Sequence, residues 1–176
     1  ELFIDFIEKV PSFGKSFICI DDKNNNQIIK KIKIKNYYTY GVNKNSQFQI
    51  KKISQSRNCS KFSLDIRLPG KKETSIKNIT IPLLGLHNIR NATAALAVAL
   101  TIGISKNTIK KGLKEFKGVQ RRFNKIFKYR ETEFYDDYAH HPTEIKEVLN
   151  GVKEVYNNEE IICIFQPHRI SRLKDL

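Results

Sequence analysis

With 176 residues, 40% of them hydrophobic and 10% aromatic, the chain can bury a genuine core, which excludes wholesale disorder and fits one large domain or two small ones. The formal charge of +14, from 32 basic and 18 acidic residues, invites a nucleic-acid partner. Yet lysine, asparagine and isoleucine crowd together at Lys23–Asn26, Ile28–Lys35 and Ser105–Lys111 like compositional drift, and no recognition-helix, zinc-finger or RNA-binding pattern accompanies them. The lysines are read as solvated surface, and no nucleic acid is expected.

No apolar stretch reaches membrane-spanning length, so no membrane partner is expected either. Cys19 and Cys163 sit in the apolar runs F-I-C-I and I-I-C-I-F, where a thiol serves as a small buried hydrophobe, and Cys59 stands apart. Such an odd, scattered set is neither a disulfide framework nor a metal pair, and it fits a reducing, cytoplasmic location. The sequence opens on an amphipathic segment without a basic-then-apolar leader and contains no Met, as an excised piece would. Nothing in the patterning points to a particular oligomeric state.

Leu2, Phe3, Phe6, Ile7 and Val10 recur at helical spacing until Pro11 stops the pattern. Phe17–Ile20 reads as a buried strand, and residues 28–35 are ambiguous between helix and strand. The period then becomes two: Phe48 and Ile50, then Phe62, Leu64, Ile66 and Leu68 alternating with Ser63, Asp65 and Arg67. Residues 37–83 are therefore expected to form strands with one covered face. Ala92–Ile102 is apolar nearly all round and predicts a helix buried on several sides. Ser105 caps a second helix with Ile109, Leu113 and Phe116 in a one-sided stripe, ended by Gly118.

Phe123–Tyr135 carries strand-forming residues in a hairpin-like pattern. Pro142 fits a first helical position, with Ile145, Val148, Leu149, Val152 and Tyr156 along one face of the helix that follows. Ile161–Phe165 reads as a core strand, which predicts a parallel strand–helix–strand unit with a right-handed crossover.

Polar chemistry gathers at four places. Asn88 and Asn91 are spaced i, i+3 near the start of the apolar helix, and an amide offers the donor and acceptor that match a purine edge. The plainer alternative makes Asn88 a helix cap and Asn91 merely polar. His87 alone reads as a satisfied core or capping histidine.

Arg121-Arg122 lies where one pattern gives way to the next. A guanidinium there either clamps a phosphate across a cleft or belongs to an ordinary surface pair. The run D-D-Y-A-H-H-P-T-E, Asp136–Glu144, concentrates carboxylates and imidazoles directly after a predicted strand. Adjacent histidines without H-x-x-x-H or H-E-x-x-H spacing do not make a zinc site, and no metal ligands are assigned. Pro142 and Thr143 are ordinary helix starters. His168, Arg169 and Arg172 follow the last predicted strand as a cationic turn suited to anions. In open α/β sheets ligands bind beyond the carboxyl ends of strands, so the two strand-end clusters predict one shared site.

G-L-H-N-I-R-N-A-T-A-A, F-K-G-V-Q-R-R-F, D-D-Y-A-H-H-P-T-E-I and F-Q-P-H-R-I-S-R-L, in that order, resemble the Mur ligase family and its alanine-adding branch. C-I-D-D at Cys19–Asp22 and Y-T-Y-G at Tyr38–Gly41 are consistent with the family's central domain. The resemblance implies an α/β fold: residues 1–118 as the later part of a P-loop-type ATPase domain, and 119–176 as the first part of a Rossmann-like C-terminal domain. It implies an ATP- and Mg²⁺-dependent amide ligase that joins L-alanine to UDP-N-acetylmuramate through an acyl phosphate.

By the same resemblance, Asn88 and Asn91 lie near adenine, Arg122 faces the phosphates, and Asp137 is the ribose-side carboxylate. His140, His168, Arg169 and Arg172 bind the muramoyl substrate, with Arg122, Asp137 and His140 closest to the chemistry. Ile170 replaces the family's usual aromatic. No G-x-x-x-x-G-K-S/T run occurs, so these residues alone are expected to be inactive. Rival readings are a recycling ligase that takes a tripeptide, a non-catalytic basic nucleic-acid module, and a gene remnant.

Overall fold

The computed structural model describes residues 2–33 and 36–166. His168, Arg169 and Arg172 lie outside them. The chain forms a mixed α/β structure with a five-stranded sheet, a separate two-stranded hairpin, and five helices among the described residues.

The sheet runs β1 (Ser16–Cys19), β2 (Tyr37–Gly41), β3 (Phe48–Ser56), β4 (Cys59–Ile66) and β5 (Thr74–Ile81) in spatial order. β1, β2 and β3 are parallel neighbours, and β3, β4 and β5 are antiparallel. The alternation in β4 works as expected: Phe62, Leu64 and Ile66 point into the core at 5% exposure or less. Two irregularities interrupt the ladders. Lys52 (φ 52°) adds a residue to β3 between Lys51 and Ser54, and Asn78 (φ 56°) does so in β5. Each is a bulge that shifts the alternation of the side chains that follow it.

Between β1 and β2, the ambiguous segment is helical: α2 spans Lys23–Lys31 and is capped by Asp22, whose carboxylate accepts from Asn24 N at 2.7 Å. The first helix, α1 (Leu2–Glu8), leaves Leu2, Phe3 and Phe6 exposed.

One face of the sheet is covered by α3 (Leu86–Thr101) and α4 (Lys106–Glu115). Ile89, Ala92, Leu96, Ala97 and Ile109 close the core over Phe48, Phe62, Leu64, Ile79 and Ile81. α3 begins six residues before Ala92, so the whole H-N-I-R-N run is helical. It is buried on one side only, since Val98 and Ile102 face outward. Periodicity alone could not reveal this, because its outward face carries alanine and valine where polar residues are usual. Ser105 caps α4 by accepting from Thr108 N at 3.2 Å.

The remaining chain forms the hairpin of β6 (Asn124–Tyr129) and β7 (Thr132–Asp136), followed by α5 (Pro142–Val155). Pro142 occupies the first helical turn as expected. Ile161–Phe165 departs from expectation. It joins no ladder among the described residues, Ile162 and Ile164 are 76% and 91% exposed, and Cys163 is exposed rather than buried. A strand needs a neighbour for its N–H and C=O groups. β7 pairs with β6, antiparallel, and the described ladder stops there.

α5 seats on the rest of the molecule at Gly151. A Cβ there would stand 2.9 Å from Gly85 Cα and 3.3 Å from Gly85 N. Gly112, in α4, faces open space. Replacing each with alanine removes the same backbone-entropy penalty of about 0.5–1 kcal/mol. Gly112→Ala is therefore expected to raise the free energy of urea unfolding by about that amount, whereas Gly151→Ala should lower it, because backbone must give way. Equal gains from both would show that α5 is not held against Gly85.

Candidate functional site

Where α5 meets the start of α3, a cavity of about 220 Å³ opens, lined among others by His87, Asn88, Asn91, Arg122, Asp137 and Glu147. Its floor is built by the turn before α3. Gly85 (φ 89°) starts the helix, and the His87 ring lies where a Cβ on Gly85 would otherwise sit, 2.6 Å from His87 Cε1. The Gly85 N–H donates to Gln55 Oε1 at 2.6 Å, and the Ser60 hydroxyl lies 2.6 Å from Leu83 O and 3.1 Å from the same Gln55 oxygen, its one proton available to either, which ties the turn to β3 and β4. Asn88 donates back to Leu84 O at 2.7 Å, so it is held inside the first turn rather than capping it. One turn further on, Asn91 is exposed on the cavity side.

The opposite wall comes from the linker. Arg121 and Phe123 both adopt left-handed backbone, at φ 58° and 51°. The reversal is held by Asp137, whose Oδ2 accepts from Phe123 N at 2.8 Å and Oδ1 from Ala139 N at 2.6 Å. Phe123 stacks on Tyr135 with ring centroids 4.4 Å apart. The two arginines thereby part company. Arg121 pairs with Asp136 at 3.3 Å and lies over the Tyr138 ring. Arg122 lines the cavity, and no carboxylate among the described residues stands within ion-pair distance of it.

The structure thus brings Asn88, Asn91, Arg122 and Asp137 to one cavity. His140 does not line it. Its Nδ1 lies 3.1 Å from Tyr138 O, and its ring borders a shallower depression beyond α5 with Lys146, Lys153 and Phe165. His141 is the N-cap of α5: its Nδ1 accepts from Thr143 N at 3.2 Å. Glu144 completes the cap by accepting from the N–H groups of His140 and His141. Partial burial pushes the Glu144 carboxyl up, but those two hydrogen bonds outweigh it and leave it below the usual range.

Three features of the site carry no sequence signal of their own. Glu147 lines the cavity from the middle of α5, and the Gly85–Gly151 contact is invisible in any local pattern. His87, read as a satisfied histidine, is the third: its Nδ1 is buried without a hydrogen-bond partner among the described residues. Burial pulls its pKa below the ordinary imidazole value, while Glu147 and Asp137 oppose that shift and Arg122 and Arg90 add to it.

Chemically, amides beside a neutral imidazole suit a heterocyclic base, a carboxylate suits sugar hydroxyls, and a guanidinium without an acidic partner suits a phosphate. The volume lies below the roughly 300–1,000 Å³ of ordinary ligand pockets, so it fits part of a nucleotide with the remainder reaching outward. No cluster of three or more His, Cys, Asp or Glu residues able to hold a metal occurs among the described residues. Among them, no helix is long and apolar enough to cross a membrane.

Two family models match: the Mur ligase middle domain over residues 1–99, and the Mur ligase glutamate ligase domain over residues 121–176. The chain belongs to the Mur ligase family. It is 73% identical over its whole length to UDP-N-acetylmuramate–L-alanine ligase of Pelagibacter ubique, and 40% identical over 97% of its length to that of Brachyspira hyodysenteriae. It spans 38% and 36% of the length of these relatives.

Among solved structures it resembles UDP-N-acetylmuramate–alanine ligase from Thermotoga maritima, at TM-score 0.65 and 32% identity over 82% of this chain and 36% of that one. MurF from Acinetobacter baumannii matches at TM-score 0.70 and 25% identity, over 85% of this chain and 31% of that one. The mixed α/β architecture is therefore that of Mur ligases.

Two measurements test this geometry. Asp137→Asn places an amide against two backbone donors and should speed amide exchange at Phe123 and Ala139, by about 1–3 kcal/mol of local stability. Unchanged exchange would mean that the linker is held by other contacts. For His87, the folded state binds its proton less readily than the unfolded chain. Stability is therefore intact above about pH 6.5 and falls as pH drops below it. Between about pH 7.5 and 5.5, wild type should lose stability relative to His87→Gln, and parallel curves would contradict the burial of this ring.

Proposed function

We propose that these residues form the nucleotide-facing part of an ATP-dependent amide ligase that adds L-alanine to UDP-N-acetylmuramate in the cytoplasm, in peptidoglycan synthesis. One observation carries the reading: two amides, a guanidinium and a carboxylate from three separate segments line a single cavity. The names of the relatives from Pelagibacter and Brachyspira support the choice of substrates.

In this reading residues 1–118 belong to the ATPase domain and 119–176 to the ligase domain, with Gly118 (φ 80°) at the junction. Asn88 and Asn91 face the adenine edge, Asp137 the ribose, and Arg122 the phosphates. Asp137 has lone pairs to spare, since each oxygen accepts one backbone N–H and can accept a further donor. His140, with Lys146 and Lys153 beside it, faces the anionic sugar nucleotide, and the family resemblance assigns the same substrate to His168, Arg169 and Arg172, which lie outside the described residues.

The reaction transfers the terminal phosphoryl group of ATP to the muramoyl carboxylate, giving an acyl phosphate and ADP. The alanine amine then attacks the acyl carbon, and inorganic phosphate leaves from the tetrahedral intermediate. Charge builds on the phosphoryl oxygens during transfer, and a guanidinium positioned in advance stabilises it. Mg²⁺, when bound, would supply further neutralisation of the charge on the phosphates. The two walls lie on different domains, so closure assembles the site.

The test is Arg122→Ala in the full-length protein, assayed for ADP release dependent on UDP-N-acetylmuramate and L-alanine. Turnover should fall by about a hundredfold or more. Unfolding stability should stay within about 0.5 kcal/mol, because the side chain is exposed. Equal proportional losses would argue against a role in transfer, and turnover with a tripeptide in place of alanine would favour the recycling reaction.

A further inference from the structure

We propose that Arg90 is a positioning residue that ties α3 to α5 across the cavity and so sets how closely the two walls meet around the nucleotide. The inference rests on reading the cavity as an ATP site.

Its anchor is Asp21, at the carboxyl end of β1. The Asp21 side chain is 6% exposed, and its carboxylate accepts from Val42 N and Asn43 N at 3.0 Å and from Arg90 Nε at 2.7 Å. Any Cβ at Gly41 (φ 144°) would run into that carboxylate, so the bare backbone leaves it room. Asp21 is thus a fixed post: a buried charge whose donors come from β1's neighbouring loop and from α3. Arg90 sits in the same helical turns as Asn88 and Asn91, so holding its guanidinium fixes the rotation of α3 that turns those amides to the cavity.

The other edge of the guanidinium faces α5. Arg90 Nη1 lies 4.0 Å from Glu147 Oε2, with the two side chains 26% and 34% exposed. Glu147 itself lines the cavity, 3.6-residue geometry placing it one turn from Gly151 on the face that meets Gly85. Two further contacts hold the end of α5 and the turn after it: Gln55 donates to Glu154, and Arg57 pairs with Glu159. Among the described residues, Arg90–Glu147 is the one ion pair between α3 and α5. A planar guanidinium presents Nε to one carboxylate and Nη1 to the other in a fixed geometry, which a compact ammonium on a flexible stem does not reproduce.

The experiment uses the full-length protein with Arg90→Lys, Glu147→Gln and their combination, reading KM for ATP, kcat, melting temperature and amide exchange in α5. Arg90→Lys keeps the charge beside Asp21 and so keeps the melting temperature, while KM for ATP rises about three- to tenfold, the scale of one partly screened ion pair. Glu147→Gln should give a similar rise, and the double variant no more than either alone. Additive effects, or a loss of melting temperature with KM unchanged, would overturn the proposal and leave Arg90 a purely structural partner of Asp21. If wild type binds no ATP, the nucleotide reading falls. Exchange in α5 then decides alone: faster exchange in both single variants supports the tie, and unchanged exchange refutes it.

Discussion

The contact between the backbones of Gly85 and Gly151 is the constraint on which the site depends. It lets α5 approach the start of α3 more closely than any side chain would permit. Only at that separation do Val148 and Val152 complete the cavity that Asn88 and Asn91 enter from the other side. The same approach orients the end of the helix and the turn that follows it, where Gln55 and Arg57 of the β3–β4 hairpin reach Glu154 and Glu159. Arg57 also covers the Tyr156 ring. Individually these exposed pairs contribute little. Their value is geometric, because all of them agree on one seating of α5.

The second wall depends on a carboxylate with two uses. Asp137 pins a linker that adopts left-handed backbone on both sides of Arg122, a conformation that non-glycine residues adopt reluctantly. The strain has a local compensation in the hydrogen bonds to Phe123 and Ala139. Its consequence is that Arg121 turns to Asp136 and Tyr138 while Arg122 faces the cavity. Two neighbouring residues of identical chemistry acquire opposite jobs, and the backbone between them makes the difference.

Much of this was legible beforehand. The alternation through Phe62, Leu64 and Ile66 located a covered sheet face, Ser105 and Pro142 located helix starts, and the polar runs at His87–Asn91, Arg121-Arg122 and Asp136–Glu144 each hold residues that line the cavity. The failures share a cause. Ile161–Phe165 has the composition of a core strand, but apolar residues specify only that a surface wants covering, and Ile164 stays 91% exposed among the described residues. The outward side of α3 misled for the converse reason, since alanine and valine are as compatible with an exposed helix face as with a buried one. His140 sits within the richest polar run, yet the start of α5 carries it to the far side of that helix.

Local chemistry by itself determined which residues could bind what, and where helices and strands begin, because periodicity, capping and turn preferences act over a few neighbouring positions. Membership of the Mur ligase family was likewise readable from short runs. The tertiary structure alone decided which of those groups share a cavity. It set Asp21 against Arg90, 69 positions apart, brought Glu147 within 4.0 Å of the same guanidinium, and buried the Nδ1 atom of His87 without a protein partner among the described residues. Such pairings arise from the packing of helix on helix and helix on turn, and close approach between distant backbones leaves no periodic trace in the order of residues.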